Sequence, residues 1–125
     1  MPETTVNISS GERVFAISVL GPLTAGDVVD ILEKHYSEIG DRQILWDLMQ
    51  ADLSWLAEEH FGDIARNAAT KLKPRTLRKT AYAVGRPSDY AIILRYLNAA
   101  FSARVPAEYA VFTNVDVARQ WLMRQ

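Results

Sequence analysis

From Thr4 to Ser9 polar and apolar residues alternate, with Val6 and Ile8 on one side. After Gly11 the alternation resumes from Arg13 to Leu20, with Phe15, Ile17 and Val19 on one face. A period of two marks half-buried strands, and Ser10-Gly11 between them marks a tight turn. Gly21-Pro22 ends the second strand. Thr24 and Asp27 then form a capping-box variant: the hydroxyl covers open amides and the carboxylate sits at the positive end of a helix. That helix is predicted to run to about Ile39 with a stripe of Val28, Ile31, Leu32, Tyr36 and Ile39, closed by Gly40.

Gln43 to Leu48 holds Ile44, Leu45, Trp46 and Leu48 without clean alternation, as expected of a central strand covered on both faces. Trp55 to Leu72 reads as a helix with Leu56, His60, Ile64 and Ala68 spaced by four, weakened by Gly62 and stopped at Pro74. Arg78 to Val84 is a short strand ending in Gly85-Arg86-Pro87. Ser88 is placed to cap the next helix, whose stripe of Tyr90, Ile93, Leu94, Leu97 and Phe101 is the most regular in the chain. Pro106 precedes a last strand, Tyr109 to Phe112. Thr113 with Asp116 repeats the cap pattern before a helix carrying Val117, Trp121 and Leu122.

The predicted order is β-β-α-β-α-β-α-β-α, an α/β fold with a mixed, mostly parallel five-stranded sheet and four helices. The first strand pairs antiparallel at an edge. No repeat, linker or low-complexity tract interrupts residues 1–125, so a single domain is expected.

Composition changes this picture in one respect. The 125 residues are 49% apolar and contain no cysteine, which removes thiol nucleophiles and cysteine-based metal sites. No secretion signal is recognised at Met1 to Ser10 and no apolar run approaches the roughly 20 residues that cross a bilayer, so the expected compartment is the cytoplasm, with no transmembrane segment. The net charge of -1 conceals a split: residues 1 to 63 carry twelve acids against three bases, a net of -9, and residues 64 to 125 carry three acids against eleven bases, a net of +8.

The segments Arg-Lys-Thr-Ala-Tyr-Ala-Val-Gly from Arg78 to Gly85 and Tyr-Ala-Val-Phe-Thr-Asn-Val-Asp-Val-Ala-Arg-Gln-Trp-Leu from Tyr109 to Leu122 resemble the late strand and the strand-plus-final-helix signature of the SpoIIAA-like bacterial proteins. These are grouped with the STAS fold of sulfate transporters and anti-sigma-factor antagonists and with Sec14-type lipid-binding domains. The resemblance extends, in element order, over nearly the whole chain. It implies a small cytoplasmic domain that binds a ligand or regulates a partner, and it implies no known enzyme activity. Anti-sigma antagonists carry a phosphorylated serine in an Asp-Ser-Ser-Gly-like turn after the third strand. Here that region is Asp47 to Trp55, where Ser54 lies near the predicted helix start but the Ser-Gly pair is missing.

In open parallel sheets ligands bind beyond the carboxyl ends of the strands. That rule collects Asp47, Asp52 and Ser54, then Arg86, Ser88 and Asp89, then Thr113 and Asn114. Such a rim suits a small anion or polar head group, with Arg86 as the charged donor; the competing reading is that Ser54, Ser88, Thr113 and Asn114 are caps and turn residues. Asp47, inside an apolar strand, must find a donor or leave the core. With Asp52 it offers a carboxylate pair for an enzyme, against a structural role for each. His35 and His60 read as partly buried helix histidines, and neither a metal nor a cofactor is expected. No Ser-His-Asp order, nucleophile elbow, phosphate loop or dinucleotide fingerprint is present, so no catalytic residue is assigned.

Lys71, Lys73, Arg75, Arg78 and Lys79 put five bases into nine residues, but without interleaved aromatics they read as a solvated connection, and no nucleic acid partner is expected. Ala81 and Ala83 face one side of their strand and Tyr82 the other. Trp46, Tyr82 and Tyr109 are therefore candidates to line an apolar surface, a lipid-type pocket or a dimer contact, or else belong to the core. The expectation is a non-enzymatic binding or regulatory module for a small apolar or anionic ligand or a protein partner. The alternatives are an enzyme using Asp47 and Asp52 and a phosphoswitch at Ser54. The charge split adds the expectation of a homodimer.

Overall fold

The alternation at the amino end becomes a hairpin. β1 (Thr5–Ser10) runs antiparallel to β2 (Val14–Pro22), and the register Val6 to Val19 and Ile8 to Ile17 places these apolar residues on one face. The structure, a computed structural model, describes residues 4–72, 78–104 and 107–124. After the hairpin the described residues form α1 (Ala25–Ile39), β3 (Gln43–Asp52), α2 (Phe61–Leu72), β4 (Arg78–Val84), α3 (Pro87–Ser102), β5 (Ala107–Phe112) and α4 (Val115–Met123). The strands lie in the sheet in chain order, β1-β2-β3-β4-β5, with β2 to β5 parallel.

That order fixes the layers. A right-handed crossover to the neighbouring strand always puts its helix on the same face. Accordingly α1, α2 and α3 share one face, over Phe15, Ile17, Val19, Ile44, Trp46, Leu48, Tyr82 and Val84. α4 follows the last strand, crosses to no further one, and covers the opposite face, where Ala16, Leu45, Ala81 and Ala83 meet Ala118 and Leu122. The alanines of β4 let that helix lie close. Lys79 secures its carboxyl end: Nζ donates to the carbonyls of Trp121 at 2.9 Å and Arg124 at 3.0 Å and stands 4.9 Å from the Trp121 ring centre.

α1 starts and stops as its sequence predicts. The Thr24 hydroxyl accepts from the Asp27 amide at 3.1 Å, the Asp27 carboxylate accepts from the Thr24 amide at 3.0 Å, and Gly40 turns the chain at a φ of 53°.

Four expectations need correction. β2 continues through Gly21-Pro22 and β3 continues to Asp52, because the ends of these strands pair beyond an irregularity in register between Ser18 and Leu20. α2 begins at Phe61 instead of Trp55. Two short 3-10 turns, Leu53–Trp55 and Glu58–His60, precede it, the first pinned by the Asp52 carboxylate on the Ser54 amide. These turns carry Leu53 into the core and leave His60 exposed, away from any helix stripe. The cap of α3 is Arg86, with Pro87 in its first turn, so Ser88 lies inside the helix. The cap of α4 is Asn114 in place of Thr113. Two bases of the basic run, Lys73 and Arg75, lie outside the described residues, as do Pro74 and Pro106.

α4 is held chiefly by Leu122, which is 2% exposed. Leu122→Ala is expected to lower unfolding free energy by roughly 2–5 kcal/mol, measured as a shift of the guanidinium midpoint. A change below about 0.5 kcal/mol, the scale of an ordinary surface substitution, would contradict this packing.

Candidate functional site

On the three-helix face the parallel register sets side chains in rows. Ile17, Trp46 and Tyr82 form one row, and Ile44, Thr80 and Tyr109 form the next. The Trp46 and Tyr82 rings are nearly parallel, at 9°, with centres 6.4 Å apart. Tyr96 of α3 meets Tyr82 edge-on at 6.2 Å and Phe61 edge-on at 5.9 Å.

The rings of Trp46, Tyr82 and Tyr96 border a cavity of about 50 Å³ between the sheet and α1–α3. One wall is aliphatic, built from Val28 and Leu32 of α1, Ile64 and Ala68 of α2, and Leu56 of the preceding segment. The other includes Thr80, Tyr82, Tyr96 and Tyr109, and the surface of the cavity is predominantly apolar. Among the described residues no charged side chain lines it. The three residues singled out for an apolar pocket, Trp46, Tyr82 and Tyr109, thus lie on one cavity.

Burial raises the pKa of all three phenols. It is the largest cause at Tyr82, with Tyr96 and Tyr109 adding to it, and the largest at Tyr96; Tyr109 is pushed up to about 12. The phenols stay protonated throughout the neutral range, and the hydroxyls of Tyr82 and Tyr96 hydrogen-bond each other.

Sequence reasoning missed Tyr96. The stripe starting at Tyr90 leaves Leu94 44% and Phe101 81% exposed. The face that packs inward carries Asp89, Ile93, Tyr96 and Ala100. An acid at its first position disguised it, and the structure explains that acid: Asp89, 2% exposed, takes Arg86 Nε at 3.1 Å and Nη2 at 3.3 Å. The signal that finds Tyr96 is the spacing 89, 93, 96, 100, once Asp89 is allowed a cation three residues earlier.

The polar candidates divide into three places. Asp52 and Ser54 lie together at the end of β3. Asp52 Oδ1 accepts from Ser54 Oγ at 2.6 Å and the Ser54 amide at 3.0 Å, and Oδ2 accepts from Trp55 Nε1 at 3.1 Å. The Ser54 hydroxyl, then its amide, hold the Asp52 carboxyl below its usual range, with Trp55 and the positive charge of Arg86 adding to them against a small desolvation. Arg86 stands at the end of β4, where Gly85 lets the chain pass the Met49 carbonyl; a Cβ there would sit 3.0 Å from that oxygen. Its guanidinium is committed to Asp89, which raises its pKa. Ser88 is exposed in the first turn of α3.

Asp47 points to the other face, level with Ser18 and Ala83, and accepts from the Met49 amide at 3.2 Å. It has left the core, and it does not share a hydrogen bond with Asp52. Asn114 caps α4, accepting from the Val117 amide at 3.1 Å, also on the face opposite the cavity. His35 meets Glu38 at 3.1 Å and His60 meets Glu59 at 3.7 Å, and among the described residues no group of three side chains is arranged to hold a metal. No described helix is long and apolar enough to cross a membrane.

This arrangement is a SpoIIAA-like fold: a mixed sheet with three helices on one face and the last helix on the other. It is similar to the crystal structure of an uncharacterised DUF3478-family protein with a SpoIIAA-like fold from Shewanella loihica PV-4, with a TM-score of 0.59 and 17% identity over 98% of this chain and 95% of that one. No family model and no curated protein matches the sequence.

The buried phenols dictate a pH dependence. Unfolded tyrosines lose their protons near pH 10, while Tyr82, Tyr96 and Tyr109 keep theirs in the fold, so above pH 10 the unfolded chain binds fewer protons. Stability is therefore expected to be intact below pH 10 and to fall as the pH rises through about 12, with a shallower fall in Tyr82→Phe. Denaturant midpoints that stay level from pH 9 to 12 would contradict it.

Proposed function

We propose that this protein is a non-enzymatic binding module that takes a small apolar ligand into the cavity between the sheet and α1–α3. The observation that carries this reading is the cavity itself. Protein interiors are close-packed, and 50 Å³ exceeds the roughly 10–15 Å³ that one water needs, while the aliphatic wall gives water few partners. The aromatic edges of Trp46, Tyr82 and Tyr96 supply contact area for a ligand of a few heavy atoms at most. The carboxylates Asp47 and Asp52 stand apart from it, each already engaged, so neither supports an enzyme at this site.

Ala68 lines the cavity and is 3% exposed. Ala68→Leu is expected to fill the space and weaken xenon binding roughly tenfold by xenon NMR, leaving the circular dichroism spectrum intact. Wild-type protein that takes up no xenon under pressure, or a folded variant that binds it equally well, would overturn the reading.

A second reading, self-association into a homodimer, is favoured by the sequential strand order. It lays the acidic half of the chain along β1–β3 and the basic half along β4–β5, so the split in charge becomes a split in space. The outer side of α3 adds exposed Leu94 and Phe101. Pairing of opposite ends across a two-fold axis predicts a dimer that weakens between 50 mM and 500 mM salt in sedimentation equilibrium. A monomer at every salt concentration would rule it out, and a salt-indifferent dimer would rule out its electrostatic basis.

A further inference from the structure

α3 carries two apolar faces. The inward one, with Ile93, Tyr96 and Ala100, packs toward β4, β5 and α2. The second runs through Tyr90, Leu94, Leu97 and Phe101; of these only Leu97 is packed against the core, and Tyr90, Leu94 and Phe101 are exposed. With 3.6 residues to the turn the four fall within a sector of about 60°, centred about 100° round from the inward face. Their spacing of four, three and four is that of the seam between paired helices. A helix face turned to water carries charge, as α1 does with exposed Asp30, Glu33, Lys34 and Glu38. In α3 the one exposed charge is Arg95, about 130° from the centre of the stripe, and the residues bordering the stripe are Ala91 and Asn98. Aromatic residues without charge around them mark the core of an interface.

The order of the residues specifies the occupant. Read in either direction, the stripe is aromatic, leucine, leucine, aromatic at the same spacing. A two-fold contact requires a surface complementary to itself, and a palindromic stripe meets that requirement. About an axis between positions 95 and 96, two antiparallel copies of α3 set Tyr90 against Phe101 of the partner copy and Leu94 against Leu97, each pair occurring twice. The helix dipoles are then opposed, which favours the pairing. A membrane surface instead selects helices with lysine and arginine beside the apolar face, and here that border is neutral.

We propose that the outer face of α3 is the seam of an antiparallel, two-fold homodimer. This takes up the self-association reading but gives it an apolar seam in place of the split in charge. A contact built on one helix from each copy is small, below about 1,200 Å² in total, and that size belongs to weak, reversible complexes.

The test is sedimentation equilibrium of the full chain across the micromolar range, at low and high salt. The wild type is expected to dimerise at both. Leu94→Glu places a carboxylate against Leu97 of the partner copy on each side of the axis and should raise the dissociation constant by about tenfold or more, with an unchanged circular dichroism spectrum. Phe101→Asp provides the same comparison should the first variant fail to fold. The chain has no cysteine, so direction is read by oxidising an equimolar mixture of Tyr90→Cys and Phe101→Cys. Antiparallel pairing gives the mixed disulfide dimer in excess over either symmetric one, resolved by mass. A dimer that weakens with salt and is unchanged in both charged variants overturns the seam and leaves self-association standing. Symmetric disulfides in excess overturn the antiparallel pairing. Binding of the wild-type monomer to phosphatidylcholine vesicles, lost in Leu94→Glu, assigns the stripe to a membrane and overturns the proposal. A wild-type monomer at every concentration and salt overturns both the seam and self-association.

Discussion

Neighbouring parallel strands joined by right-handed crossovers, laid out in the order of the chain, can place their connecting helices on one face only. This constraint governs the molecule. It stacks α1, α2 and α3 on the side of Trp46 and Tyr82, and it leaves the other side to α4, the one helix that follows the last strand and returns to no other. In folds whose strand order reverses midway, helices cover both faces and a crevice opens at the switch point. Among the described strands there is no switch point, and the cavity lies between the sheet and its helices.

The side chains of the two faces follow from this. Where three helices must be held off one sheet, large residues fill the gap: Phe15, Trp46, Tyr82 and Tyr96 stand among aliphatic residues, and their shapes do not close completely. Where one short helix lies flat, Ala16, Ala81 and Ala83 let it approach. A single strand, Lys79-Thr80-Ala81-Tyr82-Ala83, serves both by alternation. The same strand order preserves the electrostatic asymmetry, because residues distant along the chain are also distant across the sheet.

Much of this was legible beforehand. Both strands of the hairpin, the Thr24 and Asp27 cap, the stop at Gly40 and the strand Arg78–Val84 depend on neighbours within a few residues, and the sequence carried them. Trp46, Tyr82 and Tyr109 could be singled out as an apolar set because strand alternation assigns a residue to a face. The failures share a cause. Trp55 to His60 has helical spacing, but Asp52 captures the Ser54 amide and the Trp55 indole, turning the chain into 3-10 geometry before the helix starts. The inward face of α3 was misread because Asp89 looks solvent-facing until its fork of hydrogen bonds to Arg86 is seen. In both cases a polar side chain with a specific partner outweighed a periodic signal, and periodicity contains no information about partners.

By itself the sequence determined the type and order of the elements, the mixed, mostly parallel sheet and the residues that share each strand face, because these rest on local backbone preferences and on a period of two or 3.6 residues. The tertiary structure decided which carboxylates meet which donors, which side of α3 is buried, and that three aromatic residues far apart in sequence, joined by Tyr96, border one cavity. Those outcomes depend on distances between elements, which are set only when the sheet and its helices pack against each other.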